Sequence, residues 1–195
     1  MARPGLEVIR KKELIHATIS VIYETGLAEP TLAAISARAG LSSGGMINHY
    51  FKNKQDLMES TMRELAGSFL GEVAFNVSSA KTPIDKINAV IDANFASSQC
   101  TPEAVTAWLW FWARIPTNTA YADIESATEN HVINELKRAL EDIVSEHEVD
   151  DLAEGIMAIM YGLWLRFAFD SKKINVEVAR RITKDLTHSR LRTYI

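Results

Sequence analysis

Apolar residues recur every three or four positions along almost the whole chain, and no stretch alternates strictly as a half-buried strand would. That period lays an apolar stripe along one side of a helix, so the predicted fold class is all-α. Helix 1 is expected over 6–25, with Ile9, Leu14, Ala17, Val21 and Ile22 as its stripe and Gly26 as its stop. Helix 2 is expected over 32–39 with Thr31 as N-cap, and helix 3 over 43–50. Helix 4 begins at Lys54 and runs to 77 on the stripe Leu57, Met58, Met62, Leu65, Phe69, Leu70 and Val73. Residues 78–83 break the pattern. Helix 5 follows over 84–97, helix 6 from the Thr101-Pro102 start to Pro116, helix 7 over 119–147, helix 8 over 151–169 and helix 9 over 176–188. The predicted division is a small head, 1–55, and a helical body, 56–195, with helix 4 joining them.

Residues 30–51, PTLAAISARAGLSSGGMINHYF, are the most distinctive stretch. Leu32, Ile35 and Ala39 share one face of helix 2, Gly40 supplies a sharp turn, and Ser42 is placed to cap helix 3. Two helices joined through a short glycine turn form a helix-turn-helix, whose second helix lies in the DNA major groove. Ser42, Ser43, Gly44, Gly45 and Met46 occupy the groove-entering half of helix 3, and Asn48 is a candidate for base or phosphate. Lys54 and the Thr31 hydroxyl are phosphate candidates, and Arg3, Arg10, Lys11 and Lys12 would add backbone contacts. The Gly44-Gly45 pair weakens a short helix, by up to about 1 kcal/mol per glycine relative to alanine. Its expected benefit is close approach of the backbone to DNA. Ile47 and Phe51 are assigned to the core of the head, and Tyr50 to phosphate.

Charge supports a small DNA-facing head. The chain carries a net −4, but residues 1–55 hold seven Lys/Arg against four Glu, a net +3, and the remainder a net −7. The single cysteine, Cys100, has no internal partner for a disulfide, as expected of a reducing cytoplasm. No signal-peptide pattern is present, and no run of 18 apolar residues is free of charge, so the expectation is a cytoplasmic protein without a membrane span.

The segments TLAAISARAGLS and HYFKNKQDL, in that order before a long helix, resemble the TetR family of bacterial transcriptional repressors. The resemblance implies a dimer whose body binds a small molecule and dimerises through its last two long helices, here helices 8 and 9. It also implies that His49 and Tyr50 contact phosphate. A narrower resemblance, carried by PGLEVIRKKELIHATISVI, AWLWFWARIP and YGLWLRFAF, is to repressors of the choline-to-glycine-betaine pathway. It implies control of choline uptake and glycine betaine synthesis genes, released by choline.

The body has an aromatic concentration of its own. Trp108, Phe111, Trp112 and Ile115 fall at helical spacing on one face of helix 6, with Trp110 pointing elsewhere. Tyr161, Trp164 and Phe167 add rings on helix 8, and Phe95 adds one on helix 5. Such a stripe suits an ordinary core as well as a ligand site. Read as a site, Phe95, Trp108, Phe111, Trp112, Tyr161 and Trp164 would hold a quaternary ammonium by cation–π attraction. Asn94 or Tyr161 would meet the choline hydroxyl, and Asp92 would balance the charge. The stripe Ile156, Ile159, Met160, Leu163 and Phe167 is broad enough to serve a dimer interface. Other readings are an efflux-gene repressor sensing another organic cation, a constitutive DNA binder with a filled body, and a helical enzyme. The enzyme reading lacks a catalytic motif, a phosphate loop and a metal cluster. The His131/Glu135 pair suits a solvated face better than a metal, and Cys100 has no histidine partner to make it a nucleophile. No cofactor and no metal are expected.

Overall fold

The computed structural model describes residues 4–194. Among these the chain forms α1 Pro4–Thr25, α2 Leu32–Arg38, α3 Lys54–Ser79, α4 Pro83–Asn94, α5 Pro102–Trp112, α6 Thr119–Leu140, α7 Glu146–Phe169 and α8 Val176–Leu191. Short 3-10 turns lie at Gly44–His49, Ser97–Gln99 and Ile115–Thr117, and there is no strand among the described residues. The fold is all-α, as expected. Several boundaries differ, and predicted helices 5 and 6 end earlier than expected, at Asn94 and Trp112. Predicted helix 3 is a 3-10 segment, because two consecutive glycines favour no α-helix. Predicted helix 7 stops at Leu140, and α7 starts earlier than expected, at Glu146. The signal for that break is the Ser145-x-x-Glu148 start, where the Ser145 hydroxyl donates to the Glu148 carboxylate. Arg3, a candidate phosphate contact, lies outside the described residues.

The chain divides into two compact units, Met1–Gly67 with Thr101–Glu125, and Ser68–Cys100 with Ser126–Ile195. In the first, α1, α2, the Gly44–His49 segment and the start of α3 enclose Leu14, Ile15, Ala17, Val21, Ile35, Ile47, Phe51 and Leu57. Ile47 and Phe51 are therefore core residues, and Tyr50 packs half-buried against the same cluster. Ile9, expected on the buried stripe of α1, is 54% exposed, because the first turns of α1 extend past this cluster. The first unit also includes α5, which packs along α1. Trp110, Phe111 and Tyr121 stack edge to face there, with centroids 5.0–6.4 Å apart.

In the second unit α8 packs against both α7 and α4. Polar contacts between α4 and α8 set the register: Arg180 donates to the Phe95 carbonyl at 2.7 Å, Lys184 pairs with Asp92 at 2.6 Å, and His188 meets Asn88 at 2.9 Å. α4 is closed at its start by a full capping box between Thr82 and Asp85, with Pro83 in the first turn. By length and composition α7 is apolar enough to cross a membrane. Its packing supplies another reason for that composition. Val149, Leu152, Ala153, Ile156, Met157, Met160 and Trp164 are buried, while Glu154 and Arg166 are exposed. The apolar stripe expected on this helix splits accordingly: Ile156 and Met160 are buried, whereas Ile159, Leu163 and Phe167 remain half-exposed.

The C-terminal end of the described chain is tied to the start of α7. Glu148 accepts hydrogen bonds from the Ser145 and Tyr194 hydroxyls, which hold its carboxyl below the usual carboxylate range. A lowered folded-state pKa contributes stability that is present above the ordinary pKa of 4.5 and is lost as the pH falls through the lowered value. Glu148→Gln is expected to flatten the fall of unfolding free energy below pH 4.5, read from urea unfolding at a series of pH values. An unchanged acid limb would remove this contact from the account.

Candidate nucleic-acid interface

The head is built around one close contact. A Cβ on Gly44 would sit 3.3 Å from the Leu32 carbonyl carbon and 3.4 Å from the Ala33 nitrogen. Gly44 thus lets the Gly44–His49 segment lie against the first turn of α2. Gly44 therefore has a packing reason of its own, whereas a Cβ on Gly45 would meet only the Ser43 hydroxyl, at 3.9 Å. The turn before the segment depends on Gly40, whose φ of +69° suits glycine.

The polar residues of the segment divide by role. Thr31 caps α2 as expected, accepting from the Ala34 N–H at 3.1 Å, which leaves its hydroxyl proton to donate to a phosphate. Ser42 does not cap the next segment. Its hydroxyl points to the Met46 sulfur at 3.2 Å, and the N-cap position belongs to Ser43, which makes no side-chain cap. The Ser43 carbonyl accepts instead from the buried Ser36 hydroxyl at 2.6 Å, fixing the turn. Ser42, Ser43, Gly45, Asn48 and His49 are exposed, and Gly44, Met46 and Tyr50 are half-buried. The exposed set forms a small polar surface whose neighbour is Met46.

Most basic groups of the head are held by acids. Arg10 pairs with Glu13 at 2.6 Å, Lys11 with Glu7 at 3.1 Å, Arg38 with Glu24 at 3.5 Å and Lys54 with Glu29 at 2.6 Å. Glu29 also faces Arg114 at 3.4 Å. Exposed pairs of this kind are worth roughly 0–1 kcal/mol each, so phosphate can displace them.

The aromatic residues expected to bind a ligand fall into separate groups. In the first unit the Trp108 and Trp112 rings lie 5.8 Å apart at 38°. Phe111, expected beside them, is fully buried and engaged edge-on with Trp110 and Tyr121. Trp110 donates its indole N–H to the Ala28 carbonyl at 3.0 Å, so it packs on the α1–α2 loop rather than on another subunit. In the second unit Phe95 is fully buried at the C-cap of α4, Trp164 is buried on α7 and Tyr161 is half-buried. The Asn94 side-chain nitrogen is buried with no hydrogen-bond partner among the described residues. Asp92, considered as a counter-charge for a cationic ligand, is instead taken by Lys184 at 2.6 Å and Arg180 at 3.6 Å.

Comparison with known proteins agrees with this architecture. Residues 14–66 match the family of bacterial regulatory proteins of the tetR type, and residues 83–192 match the C-terminal domain of BetI-type transcriptional repressors. The chain belongs to the TetR family of bacterial transcriptional regulators. It is 34% identical over 196 residues to the HTH-type transcriptional regulator BetI of Vibrio vulnificus, an alignment spanning 100% of this chain and 98% of that protein. A transcriptional regulator of Pseudomonas aeruginosa PAO1 shares the fold with a TM-score of 0.80 at 20% identity, over 100% of this chain and 97% of that one. A regulator of Saccharomonospora viridis, solved in complex with choline, superposes with a TM-score of 0.80 at 13% identity over 91% of this chain and 95% of its own.

For this TetR-family chain the enzyme reading falls away, because its relatives are transcriptional regulators. Glu135 is bonded to Arg138 at 2.6 Å, and no group of three metal-binding side chains occurs among the described residues. Two residues that organise the head, Glu29 and Arg114, were not singled out from sequence. Arg114 follows Trp110 by four positions, just past the end of α5, and its guanidinium lies 3.6 Å from the ring centroid.

The Gly44 contact predicts an asymmetry. Gly44→Ala is expected to lower stability by about 1–2 kcal/mol through overpacking, and Gly45→Ala to be neutral or stabilising by up to about 1 kcal/mol, both read by thermal melting. Equal effects would show that Gly44 is not a packing residue. Cys100 gives a second test. Burial pushes its thiol up to about 11, against the opposing pull of Arg180. At pH 8 about one thiol in a thousand is ionised, so alkylation by iodoacetamide is expected to be more than about tenfold slower than for free cysteine. A rate near that of the free thiol would show that burial does not suppress the thiolate.

Proposed function

We propose that this TetR-family repressor controls choline uptake and glycine betaine synthesis genes in the cytoplasm and releases its operator when it binds choline. The observation that carries the reading is the BetI-type match over residues 83–192 together with full-length likeness to BetI proteins. The choline complex of the Saccharomonospora viridis regulator adds that a chain of this fold accommodates that ligand.

The residues favour the same chemistry. Ser42, Ser43, Gly44, Gly45, Met46 and Asn48 form the groove-facing surface of the head, and Thr31, His49, Tyr50 and Lys54 clamp phosphate. Trp108 and Trp112 offer two indole faces, and each favourable ring contributes about 0.5–2 kcal/mol toward a quaternary ammonium. Phe95, Tyr161 and Trp164 are the ligand candidates of the second unit, where the buried Asn94 nitrogen has a donor to offer the choline hydroxyl. Two copies pair through α7 and α8. The half-exposed Ile159, Leu163 and Phe167 supply apolar area, and Leu152, Gly155, Ile159, Leu186 and Leu191 line a groove between these helices.

Paired heads must reach major grooves roughly 34–36 Å apart. α3 runs from the head into the second unit, and a ligand-dependent shift of this helix changes the separation of the two recognition segments. A 100-fold loss of operator affinity needs only about 2.7 kcal/mol of coupling.

The test is a titration of choline into the protein bound to the DNA upstream of its own gene. Release at millimolar or lower choline is expected. Trp108→Ala or Trp112→Ala should raise the required choline about 2- to 30-fold without changing operator affinity in its absence. Tight DNA binding with no response to choline, but with release by another organic cation, would favour an efflux-gene repressor.

A further inference from the structure

One carboxylate in the head is shared by two cations from different elements. Glu29 sits on the α1–α2 loop, with Oε1 2.6 Å from the Lys54 ammonium at the start of α3 and Oε2 3.4 Å from Arg114, just past the end of α5. The two cations are held very differently. Arg114 donates to the Trp110 carbonyl at 2.9 Å and the Leu27 carbonyl at 3.2 Å, and it stacks on the Trp110 ring at 3.6 Å. With those anchors it stays in place whatever Glu29 does. Lys54 is held by Glu29 and hangs on a flexible stem, so it is the member free to leave. It follows the Gly44–His49 segment by five residues and stands in the first turn of α3, where Asn53 already caps the Asp56 N–H at 2.9 Å, so the Lys54 ammonium is the group there to offer a phosphate.

We propose that Glu29 is a positioning residue for DNA binding: it parks Lys54 against the α1–α2 loop in the free protein, yields it to a DNA phosphate on binding, and then closes onto Arg114. This rests on the reading of Lys54 as a phosphate contact. The exchange has a consequence for regulation. Binding DNA strengthens the Glu29–Arg114 contact, and by reciprocity any event on α5 that draws Arg114 away returns Lys54 to Glu29 and weakens DNA binding. The α1–α2 loop is then a charge relay between the head and the aromatic helix α5, all of it within the first unit.

The test is a double-mutant cycle on full-length protein. Its probe is a mixed-sequence DNA duplex at low salt, since phosphate contacts do not depend on sequence. The Glu29 side chain is 56% exposed, so Glu29→Gln is expected to keep the parent melting temperature, and Glu29→Ala serves as a second variant. Glu29→Gln should tighten DNA binding about two- to fivefold, and Lys54→Met should weaken it. In the Lys54→Met background, Glu29→Gln should have no effect. An equal gain in both backgrounds would mean that Glu29 acts only as a distant negative charge, and weaker binding by Glu29→Gln would mean that it serves the head's structure; either result overturns the relay. If Lys54→Met alone leaves affinity unchanged, the phosphate reading of Lys54 fails first, and the relay with it.

Discussion

Trp110 is 1% exposed, and a buried indole N–H has to find an acceptor or cost about 1–3 kcal/mol. It finds the Ala28 carbonyl, and that bond pins the loop between α1 and α2 to α5. The helix-turn-helix elements follow directly from this loop. Pro30 is buried at its end, Thr31 caps α2 from it, and α2 in turn receives the backbone of the recognition segment at Gly44. The head is therefore a stack of short elements, each located by a specific contact with the one before it.

Arg114 reinforces the same joint from the other side of the ring. Its guanidinium covers the Trp110 face while donating to two carbonyls, one in the last turn of α5 and one in the loop. A helix C-terminus leaves carbonyls without partners, and a cation there satisfies them at little cost. The same loop carries Glu29, so hydrophobic burial, helix capping and ion pairing converge on six residues, 26–31. In a chain of net charge −4, such local pairing rather than total charge sets which basic groups of the head are exposed and unneutralised.

The second unit follows a different logic. Its helices α4, α7 and α8 carry polar registers on partly apolar faces, with Asp92, Lys184, Arg180 and His188 fixing α8 on α4. Burial disfavours the Cys100 thiolate in this setting. α7 keeps the half-exposed apolar residues Ile159, Leu163 and Phe167 on the stripe whose Ile156 and Met160 are buried.

The sequence by itself determined the all-α class, the helix-turn-helix and most helix starts. These are local properties: a 3.6-residue period, a Thr or Asn that caps within three residues, and a glycine able to adopt positive φ at 26 and 40. Ile47 and Phe51 were legible as core for the same reason. Only tertiary structure decided what Gly44 is for, since the backbone it touches lies twelve residues earlier in α2. It also decided that Ile9 is exposed, that Asp92 is already paired, and that Trp110 and Arg114 belong to the α1–α2 loop more than eighty residues away. A periodic pattern states which face of a helix is buried but not which partner buries it. That partner is chosen by side chains that must find acceptors and counter-charges in three dimensions.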